Sequence, residues 1–278
     1  MAHLSSTRDT TRRCVVLLLM AVVGYASTVV ATEPPSKAAT VPAEAASPGS
    51  PAYVEAPQQL WPAEVVSPNG VVVSGSEQAS KAGAAMLEAG GNAVDAAVAT
   101  AFALGVTEPM TSGLGAEAFI LIHGADGKTR AIDGSCYVPA LARPDELQRL
   151  RASADRGYLQ GYKSIAVPGS LAALAHALQR YGTKSLAEVL APAIDLAEFG
   201  YNLNPSTTGE IDALSRFLHH QEYVADLFLK DFTDTWGPGH VFCASDLANT
   251  LRRIAEFALE SASSVCSLIL LKIPYLAA

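Results

Sequence analysis

With 278 residues, half of them hydrophobic, the chain can build a sizeable core as one large domain or two ordinary ones. Its formal charge is −8, and it deepens to about −10 once the first thirty-one residues, a local +2 from Arg8, Arg12 and Arg13 against Asp9, are set aside. That sign argues against nucleic acid or an anionic membrane surface as the main partner. Four cysteines, Cys14, Cys136, Cys243 and Cys266, lack the close spacing of a zinc site or a CxxC pair, so no disulfide framework, metal or cofactor is expected, and the thiols are expected to be buried and apolar.

The first thirty-one residues join a basic start to an apolar stretch from Cys14 to Val23 and a small-residue exit at Val29-Val30-Ala31. They read as a secretory signal, which implies a secreted or periplasmic protein. The apolar stretch is shorter than the ~20 residues of a membrane span, and Cys14 follows two arginines rather than the apolar-small pair of a lipoprotein site. Residues 32–68 are dominated by Pro, Ala and Ser, which cannot bury enough apolar surface to offset the entropy of ordering, so a flexible leader is expected there.

A folded domain is expected from residue 69 to 256. The short run Val71-Val72-Val73-Ser74 reads as a strand, and a helical pattern follows from Glu77 to Ala89, stopping at Gly90-Gly91. The next helix spans Ala93 to Leu104 and ends at Gly105. Asn92 can cap it, Asp95 complements its dipole from the third position, and its apolar circumference predicts burial between layers. Phe119 to His123 and Thr129 to Asp133 are strand-like, and the Asp126-Gly127 between them signals an antiparallel hairpin. Helices are predicted over Ser170 to Tyr181, Ser185 to Phe199 and about Ser206 to Leu218, with Gly182 and Gly200 as left-handed caps of the first two.

Between the second helix and the hairpin lies Gly113-Leu114-Gly115-Ala116-Glu117-Ala118, which matches a dinucleotide-binding glycine loop on paper. Such a loop needs a strand before it and a helix N-terminus after it. Here the order is helix, loop, strand, no helix N-terminus is expected to face the loop, and Glu117 adds negative charge. The glycines are therefore read as close packing of backbone against a neighbouring layer.

SGSEQASKAGAAMLEAGGNAVDAAVATAFALGVTEPMTSGLGAEAF, then AIDGSCYVPA, then AVPGSLAALAHALQRYGTKSLAEVLAPAIDLAEFGYNLNP, resembles in content and order the large subunit of the gamma-glutamyltransferases, or glutathione hydrolases. The resemblance runs from about Val71 to Glu256. It implies an α+β fold, one half of the αββα sandwich of an N-terminal nucleophile hydrolase. It also implies a small-molecule amide substrate, glutathione or similar, and a small subunit whose N-terminal Thr attacks the amide with its own α-amino group as base.

In the family that Thr lies downstream of every motif quoted. Thr207-Thr208 sits at a helix start and suits capping rather than self-cleavage, so no catalytic residue is assigned within this chain. Residues 257–278 no longer resemble the family, as a frameshift or misjoined reading frame would leave them; a natural short form with a last apolar helix is the alternative. The family's arginine for the substrate α-carboxylate aligns with Ser135, the one candidate substrate-binding residue. A hydroxyl there offers one neutral hydrogen bond and no charge. Asp133-Gly134-Ser135 before Pro139-Ala140, with Ala116-Glu117 where glycines are usual, leans toward the gamma-glutamyltransferase-like amidohydrolases and acylases. A non-catalytic secreted fragment is the third reading, and Ser135 as a plain strand-end serine is the reading that competes with its substrate role.

Overall fold

The computed structural model describes residues 15–19, 67–152, 165–219, 222–230 and 234–260. Most of the signal-like segment and of the Pro/Ala-rich leader, and the tail from 261 onward, lie outside the described residues.

The chain is α+β. Helices α1 (Glu77–Glu88) and α2 (Ala93–Thr107) pack as a pair, and strands β2 (Ala118–His123) and β3 (Thr129–Gly134) form the expected antiparallel hairpin, with Ile120 opposite Ile132. A further strand, β1 (Val15–Leu19), pairs antiparallel with the other edge of β2, so the sheet order is β1-β2-β3. β1 falls in the segment read as a signal, and the sequence reading assigned no strand there. The hairpin is followed by α3 (Pro144–Ala152), α4 (Ser170–Tyr181) and α5 (Leu186–Phe199). Next come β4 (Tyr201–Asn202), α6 (Pro205–Leu218), α7 (Glu222–Phe228), and the short strands β5 (Leu229–Lys230), β6 (Asp234–Thr235) and β7 (Val241–Phe242). α8 (Ser245–Glu260) is the last described element.

Strand β2 alternates strictly. Ala118, Ile120 and Ile122 turn into the core, where α4 lies against the sheet, while Phe119 and Leu121 stay 38% and 41% exposed on the other face. Of the expected four-layer sandwich, the described residues thus build one three-stranded sheet with α4 on one face, beside two two-stranded ribbons, β4 with β7 and β5 with β6. α2 is the centre of the helical layer: α1, α4 and α5 all touch it, and α8 packs on α5. Its side chains are buried on almost every side, Val98, Ala99, Phe102 and Ala103 among them, as an apolar circumference requires.

Three local expectations need correction. Residues 71–74 form no strand. α2 runs through Gly105 to Thr107, and the missing side chain of Gly105 admits the Cα of Gly113, which lies 3.1 Å from where a Cβ would stand. Gly200 has a positive φ of 84° but at ψ 170° is not a left-handed helical cap, and Gly182 is extended at φ −79°. Gly182 is required by proximity, since a Cβ there would lie 2.7 Å from an Asp95 carboxylate oxygen.

Asp95 joins the two halves of the helical layer. One oxygen, Oδ2, accepts the Asn92 N–H at 2.7 Å, which closes the capping box of α2 with Asn92, and also the Thr183 hydroxyl at 2.7 Å. The other, Oδ1, accepts the N–H groups of Thr183 and Lys184 at 2.8 and 3.0 Å, in the turn between α4 and α5. Asn92 Nδ2 donates to the Tyr181 carbonyl at 2.7 Å and Lys184 Nζ to that of Ala89 at 2.9 Å, so each turn caps the other. Burial works to raise the carboxyl's pKa, but the Thr183 hydroxyl and the N–H groups of Lys184, Asn92 and Thr183 outweigh it and hold the group below the usual aspartate range.

Asp95→Asn should therefore cost about 3 kcal/mol, because an amide cannot accept from all four donors and turns its own N–H₂ toward some of them. The native carboxyl binds its proton less readily than the unfolded one. Its contribution is full above the ~3.9 of an unfolded aspartate and is lost as pH falls through the depressed folded value. Urea midpoints measured against pH should fall more steeply below about pH 4 in the parent chain than in Asp95→Asn.

Candidate functional site

At the end of α2 the chain turns sharply, with the N–H groups of Thr111 and Ser112 donating to the Glu108 carbonyl, and passes through Gly113 at φ 153° into the glycine loop. A helix N-terminus does meet this loop, contrary to the expectation from element order, because α4 comes back to it from across the sheet. The Ser170 N–H donates to the Ala116 carbonyl at 3.1 Å, and its hydroxyl lies 3.2 Å from the carbonyls of both Gly113 and Leu114. The loop offers carbonyls, not N–H groups, so the start of α4 is satisfied by protein and no anion cradle forms.

What brings α4 so close is a crossing of two glycines. A Cβ on Gly134, the last residue of β3, would stand 2.6 Å from the Ala118 carbonyl oxygen and 2.6 Å from the Ala173 Cβ. One on Gly169 would collide with the carbonyl oxygens of Gly134 and Ser135. The Pro168-Gly169 step of the AVPG motif is thus the contact surface between α4 and the end of the hairpin. Tyr137 and Val167 exchange backbone hydrogen bonds just beyond it, at 2.9 and 2.8 Å.

Ser135 emerges at this crossing. Its N–H and hydroxyl both donate to Asp133 Oδ1, at 3.0 and 2.5 Å. Those bonds, the hydroxyl's first and then the N–H's, hold the Asp133 carboxyl below the usual range, so it is charged at neutral pH. Glu117, at the mouth of the glycine loop, accepts a long hydrogen bond of 3.5 Å from the Cys136 N–H. The candidate site residue therefore stands between two carboxylates, Asp133 bound to it and Glu117 beside its neighbour. Both were missed from sequence; the Asp-x-Ser spacing, which favours a side-chain turn, was the signal for Asp133. The rim beyond is apolar and open, with Tyr137 and Val138 65% and 74% exposed.

Thr207 and Thr208 lie elsewhere. Asn204 caps α6 by accepting the Thr207 N–H at 2.8 Å, and the buried Thr207 hydroxyl donates to the Thr107 carbonyl at the end of α2, at 3.3 Å. Thr208 donates to the Asn204 carbonyl at 2.7 Å. Neither hydroxyl faces the glycine crossing. The cysteines correct another expectation: Cys136 is half-buried and Cys243 exposed, because each sits in a surface connection and not in a helix stripe. Among the described residues no group of three or more His, Cys, Asp or Glu side chains could hold a metal ion. A cavity of about 60 Å³ between Phe102, Val106, Leu114, Ser170, Leu174 and Leu251 is far below the ~300 Å³ of small-molecule pockets.

Gly134→Ala should destabilise the chain by about 2 to 3 kcal/mol, since backbone on one side and Ala173 on the other leave the new methyl no room. Gly115→Ala, whose Cβ would meet nothing within 4 Å, should change the urea midpoint little.

The sequence pattern of the family described as Gamma-glutamyltranspeptidase matches residues 79–262. Acylase ACY 1 proenzyme of Pseudomonas sp. (strain V22) is 40% identical over 67% of this chain and 34% of its own length. Glutathione hydrolase proenzyme of Bacillus subtilis (strain 168) is 36% identical over 68% and 32%. The chain thus spans about a third of the length of these curated relatives. Among solved structures, the Helicobacter pylori gamma-glutamyltranspeptidase superposes with a TM-score of 0.65 at 30% identity, over 74% of this chain and 60% of that one. The cephalosporin acylase from Bacillus halodurans gives 0.56 at 34% identity, over 66% and 35%. On sequence pattern and fold together, the chain belongs to the gamma-glutamyltranspeptidase family.

Proposed function

We propose that this chain is the large-subunit portion of a gamma-glutamyltranspeptidase-family enzyme that cleaves gamma-glutamyl amides such as glutathione, the attacking threonine being supplied by a small subunit outside these residues. The observation that carries this reading is the outer face of the hairpin. Phe119 and Leu121 stand exposed on a strand whose other face, Ala118, Ile120 and Ile122, is buried, which suits half of a sandwich awaiting its second sheet. The chemistry of such a site is acyl transfer: the threonine adds to the amide carbonyl, the amine departs with the proton that the base took from the hydroxyl, and water or an acceptor amine releases the acyl group. Removal of residues 1–31 as a secretory signal would put the enzyme outside the cytoplasm and would bare the β2 edge that β1 covers.

A second reading, an acylase-type relative acting on a non-glutamyl amide, draws support from Ser135. Its hydroxyl is already committed to Asp133, and Asp133 and Glu117 put negative charge where a glutamyl α-carboxylate would need a cation. The 40% identity to an acylase proenzyme leans the same way. A third reading, a non-catalytic secreted fragment, corresponds to the chain acting without any small subunit.

Residues 32–278 alone should be silent toward gamma-glutamyl anilides and glutathione, and Thr207→Ala should change nothing. Turnover abolished by that substitution would locate the nucleophile in α6. In a protein joined to its small subunit, Ser135→Arg should lower the KM for gamma-glutamyl amides about ten- to a hundredfold, the scale of a charged hydrogen bond, and should do so only for amides bearing the α-carboxylate. An unchanged KM, with tight gamma-glutamyl binding already present in the serine form, would favour the glutathione hydrolase reading over the acylase one.

A further inference from the structure

Where α6 touches the end of α2, the register brings two glutamates to the same junction. α6 is tied there by the Thr207 hydroxyl on the Thr107 carbonyl at 3.3 Å, and β4 beside it by the Tyr201 hydroxyl on the Val106 carbonyl at 2.9 Å. Glu210 lies three residues after Thr207 and so on the same face of α6, and Glu108 is the residue after Thr107. The helix register therefore carries Glu210 toward Glu108. Glu210 Oε2 is buried and has no hydrogen-bond partner. Glu108 is walled in from the other side. Its Oε1 lies 2.5 Å from where a Cβ of Gly75 would be, and its Oε2 is 3.4 Å from the Thr111 hydroxyl.

The sign of charge is unfavourable here in three ways at once. Two acidic side chains share one helix junction, one has a buried oxygen with no donor, and the negative end of the α2 dipole lies at Glu108. A carboxyl in such a place is tolerated most readily with its proton on. We propose that Glu108 and Glu210 form a proton-operated latch, in which one proton held by the pair keeps α6 seated on α2 and its loss drives the carboxylates apart, loosening α6 and the glycine loop that begins at Glu108.

The electrostatics run in the same direction. Burial and then the charge of Glu210 raise the Glu108 carboxyl above the ordinary glutamate range, and burial raises Glu210. Among the described residues Tyr201, in β4, also feels Glu108; burial and then the Glu108 charge push its hydroxyl up, so it stays neutral and donates to the Val106 carbonyl. Before α1, Gly75 lies against Glu108, and the turn after α2 brings the neutral Thr111 hydroxyl. The loop responds because Thr111 and Ser112 hang from the Glu108 carbonyl and Gly113 follows at once.

With both pKa values raised, the folded chain holds a proton that the unfolded chain has released. The stabilisation is full below the ~4.3 of an unfolded glutamate and is lost as pH rises through the folded values. This window lies above that of Asp95, so the two can be read separately. The test is the urea midpoint of the full chain between pH 4 and 8, for the parent, Glu210→Gln, Glu108→Gln and the double variant. The parent midpoint should fall as pH rises, either single variant should flatten that fall, and the double should flatten it no further than the singles. A parent slope left intact in Glu210→Gln overturns the latch. Should a variant fail to fold, ¹³C-carboxyl titration of the parent decides the matter. Glu108 and Glu210 signals titrating above the usual glutamate range and in step support the latch, and independent titration near 4.3 sinks it.

Discussion

A single buried carboxylate holds the helical layer together. Asp95 gathers three backbone N–H groups and a hydroxyl from two turns that are 88 residues apart in sequence. An ion placed there without donors would cost several kcal/mol in desolvation. With four donors it becomes the point at which the α1–α2 turn and the α4–α5 turn are set at a fixed distance. Because α4 is held at its C-terminal end by this cluster, its N-terminal end has little freedom in where it reaches the sheet. The glycine crossing at Gly134 and Gly169 is the far end of the same rigid rod. The position of Ser135 is therefore decided by a residue that touches neither substrate nor site. The GGNAVDAA motif is an element of architecture, its acidic residue engaged by the donors of both turns.

The site shows how the same family scaffold can present different recognition surfaces. Gly134 and Gly169 have no tolerance for a side chain, and the glycine loop offers its carbonyls to Ser170. Position 135 is different, since its side chain emerges at an open rim and its immediate partner is a neighbour two residues away. Substitution there changes charge without disturbing the crossing beneath it. Such a division sets packing that admits no side chain below and an open polar position above.

Much of this was legible in the sequence because it rested on local physics. The capping box at Asn92 and Asp95, the Asp-Gly hairpin turn and the Ser185-Leu186-Ala187-Glu188 cap of α5 are each written within a few residues. The apolar circumference of α2 foretold its burial. What could not be read was long-range. Gly105 looked like a stop, yet it is a contact for Gly113, and Gly182 looked like a left-handed cap, yet it makes room for Asp95. The return of α4 to the glycine loop reversed an argument from element order, because order along the chain says nothing about which helix end comes back. β1 was hidden for a related reason, since an apolar run that serves for targeting also has the composition of a strand. Within the site, Ser135 was found through family resemblance, whereas Asp133 and Glu117 needed coordinates to show that they flank it.

The way α2 is finished has a consequence for how the protein is made. Its N-terminal cap closes locally, but the Asp95 carboxylate waits for the donors of Thr183 and Lys184 and its last carbonyls wait for Tyr201 and Thr207, 88 to 100 positions on. A ribosome adding roughly 5 to 20 residues per second needs about 4 to 20 seconds to supply them. For that interval the most apolar of the described helices has emerged with its Asp95 carboxylate and its last carbonyls short of their partners and most of its covering helices unmade. This is the stretch that would call for a chaperone during synthesis, and a pause in translation before residue 207 would lengthen the exposure in direct proportion.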